Sequence, residues 1–307
     1  MKDVVLLFSG QGAQQVGMGK DLAEASEVAR GMFERADEVL GFSLSEVMWE
    51  GPMEELTRTS RCQPALYVHG LACLAVLKER VPDLEAVAAA GLSLGEFTAH
   101  AAAGTFDFET GLKLVFQRGT FMEEACEATE GSMAAMIGGT EEQVASLAES
   151  CGVDVANLNA PGQIVLSGTK EGIAKALAGA KEAGCKMGKE LPVAGAYHSR
   201  LMATAQEKLA LELSGVEMAM PGIPVVSNFT VDVAGSVDEI KETLEKQVTG
   251  SVRWSQSMSK LVDEGKTNFV ELGPGGTLAG LMKRISRGTG VADAGSLAGI
   301  EAIVGGE

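Results

Sequence analysis

The sequence predicts an α/β protein built on a short parallel sheet, with a second unit of βαββαβ order inserted into it. Ala-rich helical segments alternate with short apolar runs, which is the pattern of crossover helices and buried strands. Between residues 130 and 195 this alternation is replaced by a strand, a helix, two strands, a helix and a strand. The chain has 307 residues and is 46% hydrophobic, which is enough to bury a sizeable core.

The parallel part is discontinuous and comprises residues 1–129 and 196–307. In its first half we expect strands over 4–8 and 86–90 and helices over 21–40, 64–78 and 96–103. In its second half we expect helices over 201–213, 237–247 and 252–264, strands over 224–227 and 268–272, and a last helix after a Gly-rich turn. The tail after Arg287 is rich in Gly and Ala, so we expect it to be loosely held.

The inserted unit, residues 130–195, has the order of a ferredoxin-like subdomain. Its strands are expected over 132–137, 153–158, 163–167 and 186–191, and its helices over 141–150 and 170–183. A turn of sequence Asn-Ala-Pro-Gly joins the two middle strands.

Composition and charge exclude several functions. The net charge of −17 argues against nucleic acid or an anionic membrane surface as a partner. No apolar run approaches the length of a membrane span, and the N-terminal run is too short for a secretory signal. The five cysteines are scattered, with neither metal-site spacing nor a disulfide framework. We therefore expect a cytoplasmic protein.

Residues 91–95, Gly-Leu-Ser-Leu-Gly, fit the pattern G-x-S-x-G between a strand and a helix. This pattern is typical of an α/β-hydrolase-like core, where a sharp turn exposes a nucleophilic serine at the start of a helix. The helix directs its free N–H groups toward the place where an oxyanion forms. Ser93 is therefore the expected nucleophile. The alternative is that Ser93 only caps the following helix.

A serine nucleophile needs a base, and the chain offers three histidines. His100 lies two helical turns beyond Ser93, about 10 Å along the axis, and points away from it. His69 lies in an apolar helix and is expected to pack in the core. His198 follows a strand in a loop, which favours it as the base. The alternative is a loop histidine that caps the next helix, and no carboxylate stands out as a third member.

The Gly-rich turn at residues 10–14 follows the first strand, so in a parallel sheet it lies at the same edge as Ser93. Its backbone N–H groups could form one half of an oxyanion hole and the Leu94 N–H the other. A nucleotide-binding loop is disfavoured because neither G-x-G-x-x-G nor a following Lys-Ser/Thr is present.

Seven stretches occur in order over residues 4–284: Phe-Ser-Gly-Gln-Gly-Ala-Gln at 8–14, Gln-Pro-Ala at 63–65, Ser-Leu-Gly-Glu at 93–96, Gln-Arg-Gly at 117–119, Asn-Leu-Asn-Ala-Pro-Gly-Gln at 157–163, Tyr-His-Ser at 197–199 and Glu-Leu-Gly-Pro-Gly at 271–275. Together these stretches resemble the malonyl-CoA:acyl carrier protein transacylases of fatty-acid and polyketide synthesis.

The resemblance implies catalytic roles. Ser93 would carry the acyl group and His198 would be the general base and then the general acid. Gln11 and Leu94 would supply the N–H groups of the oxyanion hole. The backbone carbonyl of Gln247 would orient His198 in place of an aspartate.

The resemblance also implies a binding pocket. Arg118 would hold the free carboxylate of a malonyl group through both arms of its guanidinium. Gln63, Met122 and Asn159 would be its neighbours. A simpler alternative pairs Arg118 with Glu123 or Asp107 on the surface of its helix.

Two positions depart from the family pattern. Leu92 stands before the nucleophile, where the family usually has His. Tyr197 stands before the catalytic His, where malonyl-selective members commonly have Phe. We expect catalysis to survive both changes, while the fit of a substituent on C2 of the acyl group could differ.

The implied reaction passes the malonyl group from malonyl-CoA to Ser93 and then to the phosphopantetheine thiol of acyl carrier protein, with no bound cofactor or metal. Binding of the carrier protein is expected to be transient and the enzyme to be a monomer. Because such carriers are acidic, two basic clusters are candidates for the carrier-binding surface. They are Lys181, Lys186 and Lys189 in the inserted unit, and Lys283, Arg284 and Arg287 on the expected last helix. The alternative is that these are ordinary solvated side chains.

Three other functions are left open. A serine thioesterase or esterase would use the same serine and histidine, but it would not need a buried arginine. A catalytically inactive acyl- or carrier-binding subunit would not need an intact Ser93 and His198. A polyketide-type acyltransferase would prefer another extender unit.

Overall fold

The computed structural model describes residues 1–306 and contains two separate sheets. The first is parallel, with the strand order β7-β2-β1-β8-β9. Its strands are β1 (Val4–Phe8), β2 (Ala86–Gly91), β7 (Val225–Val226), β8 (Asn268–Glu271) and β9 (Val291–Asp293). Strand β1 lies at the centre, and all five of its side chains are buried because helices cover both faces of the sheet.

The second sheet is antiparallel and has the strand order β4-β5-β3-β6. Its strands are β3 (Gly131–Ile137), β4 (Asp154–Ala160), β5 (Gln163–Thr169) and β6 (Met187–Glu190). Helices α8 (Glu141–Cys151) and α9 (Lys170–Gly179) pack against it around a core of their own. Along the chain the order is strand, helix, two strands, helix and strand, as the sequence predicted. The two sheets make this a mixed α/β protein.

The remaining helices surround the parallel sheet. They are α1 (Lys20–Ala25), α2 (Glu27–Leu40), α3 (Leu44–Glu50), α4 (Met53–Thr57), α5 (Thr59–Arg80), α6 (Leu94–Ala102), α7 (Phe108–Glu127), α10 (Ala203–Gly215), α11 (Val237–Lys246), α12 (Trp254–Asp263), α13 (Thr277–Ile285) and α14 (Leu297–Gly305). Helix α5 is buried along most of its length, including His69.

The single helix expected over 21–40 is wrong, because the chain breaks at Ser26. Ser26 has an extended backbone, and its hydroxyl accepts a hydrogen bond from the Ala29 N–H at 3.1 Å. This side chain satisfies a free donor at the start of α2 and so favours a new helix over continuation of the first. The apolar period alone did not reveal the break.

The expectation of a loosely held tail is also wrong. Strand β9 pairs in parallel with β8, and α14 buries Ile300 completely against the core. The Asp21 carboxylate accepts a hydrogen bond from the Leu297 N–H at 2.7 Å, which ties the start of α14 to α1. The apolar side chains that α14 turns toward the core, Leu297, Ile300 and Ile303, were masked in the sequence by the surrounding glycines and alanines.

Among residues 1–306, no helix is both long and apolar enough to cross a membrane. Over the same residues no group of three or more His, Cys, Asp or Glu side chains could hold a metal ion. All five cysteines are free thiols, and four of them are buried.

Candidate active site

Ser93 lies at the turn between β2 and α6 and has the strained backbone angle φ 54°. The turn is tight enough to require glycine on both sides. A Cβ on Gly91 would lie 1.9 Å from the Gly95 carbonyl carbon, and one on Gly95 would lie 2.2 Å from the Phe8 carbonyl oxygen. The small residues of the G-x-S-x-G pattern therefore allow β1, β2 and α6 to meet at this point.

The Ser93 hydroxyl faces His198 rather than the helix backbone. Its Oγ lies 2.7 Å from His198 Nε2, and its side chain makes no capping hydrogen bond to α6. The interpretation of Ser93 as only a helix cap is therefore wrong. On the other side of the ring, His198 Nδ1 lies 2.8 Å from the Gln247 carbonyl oxygen. That carbonyl can only accept, so Nδ1 carries the proton and Nε2 is free to accept one from Ser93.

His198 is buried, and this burial together with the nearby Arg118 charge lowers its pKa to about 4. The imidazole is therefore neutral at physiological pH and can act as a base. The other two histidines have different surroundings. His100 is buried with its Nδ1 3.0 Å from the Thr105 hydroxyl, and His69 lies inside α5.

Arg118 lies on α7 with only 1% of its surface exposed, and its guanidinium reaches Ser93. Its Nη1 donates to Gln63 Oε1 at 2.7 Å, and its Nη2 donates to Ser93 Oγ at 3.0 Å and to Gln247 Oε1 at 2.9 Å. Burial lowers the pKa of Arg118 to about 10, so the guanidinium keeps its charge at neutral pH.

The alternative pairing of Arg118 with a surface carboxylate is wrong. Glu123 binds Arg58 at 2.8 Å, and Asp107 caps α7 by accepting from the Thr110 N–H at 2.7 Å. In residues 1–306 the Nε atom of Arg118 has no partner. The site therefore contains a buried cation without a carboxylate in direct contact, next to a serine and a neutral histidine.

A cavity of about 300 Å³ opens in front of these groups. The expected site residues that line it are Gln11, Gln63, Leu92, Ser93, Leu94, Arg118, Met122, Asn159, Tyr197 and His198. Gln247 is fully buried behind it. In the described part of the chain Asn159 Oδ1 has no hydrogen-bond partner, so it is available to a ligand in the cavity.

Tyr197 is 7% exposed, and its hydroxyl is occupied. It lies 2.6 Å from the Thr59 hydroxyl, which also accepts a hydrogen bond from Gln11 Nε2 at 3.4 Å. Nearby, Gln63 Nε2 donates to the Met122 sulfur at 3.4 Å. The hydroxyl that distinguishes Tyr from Phe therefore bonds to α5 rather than to the serine.

Two polar residues at the site were not assigned a role from the sequence. The Asn228 side chain spans the turn: its Oδ1 accepts from the Ser93 N–H at 2.6 Å and its Nδ2 donates to the Gly91 carbonyl at 2.8 Å. Glu96, three residues after Ser93, is completely buried. Glu96 could have been found from the sequence, because it ends the Ser-Leu-Gly-Glu stretch. The sequence around Asn228 contains no motif that would have indicated its role.

The candidate carrier-binding cations lie on segments that continue from the cavity wall. Lys181, Lys186 and Lys189 precede Leu191, which lines the cavity, and Lys283, Arg284 and Arg287 follow Leu281, which lines it from α13. All six are exposed, and none forms an ion pair within residues 1–306.

Comparison with known proteins finds relatives that belong to one family of acyl transferases. The acyl transferase domain family matches residues 5–299. A malonyl CoA-acyl carrier protein transacylase of Bacillus subtilis (strain 168) is 42% identical over 294 residues, which cover 94% of this chain and 92% of that protein. The structure of the malonyl CoA-acyl carrier protein transacylase from Coxiella burnetii has a TM-score of 0.95 at 33% identity, covering 99% of this chain and 97% of that one. A malonyl-transacylase in complex with a type II PKS acyl-carrier protein also has a TM-score of 0.95, at 35% identity, covering 99% and 100%.

Proposed function

The chain belongs to the acyl transferase domain family, and from this premise we propose that it transfers a malonyl group from malonyl-CoA to the phosphopantetheine thiol of an acyl carrier protein. It is an acyltransferase, and the malonyl transfer supplies extender units for fatty-acid synthesis. The proposed reaction uses no bound cofactor.

In the first half-reaction His198 Nε2 takes the proton of Ser93 Oγ as the oxygen attacks the thioester carbonyl carbon of malonyl-CoA. The tetrahedral intermediate collapses, the C–S bond breaks, and the imidazolium returns its proton to the CoA thiolate. In the second half-reaction the carrier thiol gives its proton to His198 and attacks the carbonyl carbon of the malonyl-serine ester. The C–Oγ bond then breaks, and the imidazolium returns the proton to Oγ, which restores the Ser93 hydroxyl and leaves the malonyl-carrier thioester. The 2.7 Å contact between Ser93 and His198 supports both proton transfers.

Two further groups support these steps. The backbone N–H groups of Gln11 and Leu94 would bind the oxyanion of each tetrahedral intermediate. Leu94 is the first residue of α6, so its N–H has no acceptor within the helix. The Gln247 carbonyl, 2.8 Å from His198 Nδ1, would keep the ring oriented and stabilise its protonated form.

The observation that favours malonyl over a neutral acyl group is the buried guanidinium of Arg118, which lies 3.0 Å from the nucleophile. A malonyl ester on Ser93 places its free carboxylate within reach of this cation, whereas an acetyl ester leaves the cation without an anionic partner. Gln63 would hold the guanidinium, and Met122, Leu92, Asn159 and Tyr197 would complete the wall of the pocket.

We expect Arg118→Ala to remove the preference for malonyl-CoA over acetyl-CoA. The loss of a buried, charge-assisted contact should lower malonylation of Ser93 by roughly a hundredfold and acetylation far less. Mass spectrometry of the Ser93 adduct after competition between malonyl-, methylmalonyl- and acetyl-CoA measures this. A malonyl preference that survives in the variant would exclude Arg118 from carboxylate binding.

A second candidate is malonyl transfer to a carrier of polyketide synthesis, because one similar structure is a malonyl-transacylase bound to a type II PKS carrier protein. Transfer assays with carriers of both kinds separate the two functions. A serine thioesterase would instead release free malonate, which the same assays detect.

We also propose that the parallel sheet and its helices, residues 1–129 and 196–307, are an α/β-hydrolase-like catalytic unit, and that residues 130–195 are a ferredoxin-like subdomain. The strand order β4-β5-β3-β6 supports the second assignment. The nucleophile turn after β2 supports the first.

A further inference from the structure

Glu96 is a buried carboxylate that none of the steps above uses. It lies in the first turn of α6, and its side chain has no exposed surface. Its Oε2 accepts hydrogen bonds from the Asn228 N–H at 2.9 Å and from Gln247 Nε2 at 2.6 Å. In residues 1–306 its Oε1 has no partner. The hydrogen bonds from Asn228 and Gln247 therefore converge on one oxygen, and the Ser227 hydroxyl also lies close enough to lower the pKa of Glu96.

Through Gln247 this oxygen is connected to Arg118. The amide of Gln247 has opposite polarity at its two ends. Its Nε2 donates to Glu96 and to the Ser93 carbonyl at 2.9 Å, and its Oε1 accepts from Arg118 Nη2 at 2.9 Å. If the amide turned over, its NH₂ group would face the guanidinium, and a donor would meet a donor. The direction of this amide therefore decides whether Gln247 can accept a hydrogen bond from Arg118 Nη2.

Glu96 can accept the hydrogen bond from Gln247 in either of its protonation states, so the amide keeps its direction in both. Burial raises the pKa of Glu96 to about 7, so both forms are populated near neutral pH. A proton on Glu96 would reside on Oε1, which accepts no hydrogen bond in residues 1–306. Oε2 would continue to accept the hydrogen bonds from Asn228 and Gln247. The positive charge of Arg118 lowers the pKa of Glu96 and the charge of Glu96 raises that of Arg118, and the Gln247 amide connects the two groups.

Arg118 has few other contacts that could hold it. Gln63 binds Nη1, Ser93 and Gln247 bind Nη2, and in the described chain Nε is unpartnered. In the acyl-enzyme Oγ is an ester oxygen, which is a weaker acceptor than a hydroxyl, so the contact of Arg118 with Ser93 weakens. Gln247 is then the stronger protein acceptor for Nη2.

We propose that Glu96 is a positioning residue for carboxylate recognition: by fixing the direction of the Gln247 amide, it holds Arg118 where it meets the free carboxylate of the acyl group. This inference rests on the proposed function, and it adds a residue that acts on substrate selectivity without touching substrate.

The decisive variant is Glu96→Met, which has similar length but no oxygen acceptor at this position. The measured quantity is the ratio of kcat/KM for Ser93 malonylation to kcat/KM for Ser93 acetylation, followed by mass spectrometry. Losing the acceptor should reduce this ratio roughly tenfold, mainly through a higher KM for malonyl-CoA. Glu96→Gln can place its amide oxygen where Oε2 lies, and it should retain the ratio to within about threefold.

Glu271→Met is the matched control. Glu271 is also a buried carboxylate at the end of a parallel strand, but its donors are Ser9, Leu278 and Ala279, none of which contacts Arg118. Its loss should lower stability without changing the ratio. A purely structural role for Glu96 predicts that Glu96→Met behaves like this control, with both acylation rates falling equally, and that result would overturn the inference.

If Glu96→Met does not fold, Gln247→Met decides the matter, since it keeps the backbone carbonyl that faces His198. An unchanged malonyl-to-acetyl ratio in that variant removes the connection to Arg118 and overturns the inference. The wild-type reaction tests the proposed function separately. A wild-type enzyme without a malonyl adduct on Ser93 contradicts the function, whereas a malonyl-selective wild type with an equally selective Glu96→Met contradicts only the role of Glu96.

Discussion

At the scale of single residues, the surroundings of His198 suppress its positive charge. Burial and the neighbouring Arg118 both disfavour the imidazolium, whereas the Gln247 carbonyl favours it less strongly, and the resulting pKa is about 4. A base works only while it is neutral. Because its pKa is lowered, His198 stays neutral down to a lower pH. Activity is therefore lost as the pH falls toward 4, rather than as it falls toward the ordinary histidine pKa near 6.5.

We expect the pH profile of kcat/KM for acylation by malonyl-CoA to have its acid limb near pH 4 to 5. Stopped acylation reactions analysed by mass spectrometry give this profile. As a control, NMR titration of the imidazole in Arg118→Gln should show the His198 pKa rising toward 6.5, because one of its two causes has been removed. A wild-type profile that has fallen to half by pH 6.5 would contradict the assignment.

Residue patterns could predict part of this site and not the rest. Ser93 and its flanking glycines carry a local signature, and only three histidines compete for the role of base, so the pair could be proposed from sequence. The partners of Arg118 could not be predicted from the sequence. Gln63 and Gln247 lie 55 and 129 residues away from it, and glutamines that bind an arginine have no distinctive sequence spacing. Asn228 was missed for the same reason.

At the scale of elements, the nucleophile turn is a three-way contact between β1, β2 and α6. The absent side chains of Gly91 and Gly95 make that contact possible. The strand and helix themselves were predictable from their apolar runs. The break at Ser26 and the docking of β9 and α14 were not, because a capping hydrogen bond and a strand pairing with β8 are decided by tertiary contacts rather than by local periodicity.

Gly91→Ala should destabilise the protein by about 3 kcal/mol or more, because the new methyl group would overlap the Gly95 carbonyl and neither backbone can move freely. Urea denaturation followed by circular dichroism measures the change. Gly31→Ala is the control, since Gly31 lies within α2 with open space around it. That substitution should stabilise the protein by about 0.5–1 kcal/mol. Equal stability of wild type and Gly91→Ala would show that the turn tolerates a side chain.

At the scale of the whole molecule, a chain with net charge −17 must bind an acidic carrier through local positive charge. The two basic clusters, on segments continuous with cavity-lining residues Leu191 and Leu281, offer this, because their six side chains are exposed and have no ion pairs in residues 1–306. We propose that they form the carrier-binding surface.

Reversing Lys283 and Arg284 to Glu should raise the KM for carrier protein about tenfold at low salt, and less at high salt, where the interaction is screened. Acylation of Ser93 by malonyl-CoA should be unchanged. Lys78→Glu/Arg80→Glu is the matched control, because it makes the same change in charge at the end of α5, near the opposite edge of the parallel sheet. If both double variants bind carrier equally well, the surface lies elsewhere.

The central position of β1 has a consequence for how the chain acquires its structure. Strand β1 is synthesised before the other strands, yet β8, one of its two neighbours in the sheet, comes much later. Asn268 of β8, which pairs with Val4, follows it by 264 residues. The Ser93–His198 and His198–Gln247 contacts also join segments far apart in the chain. Such a high contact order slows folding, and during synthesis the apolar edge of β1 stays open until β8 emerges. We therefore expect the nascent chain to be prone to aggregation until β8 is available, and Ser93 has no histidine beside it until residue 198 has been translated.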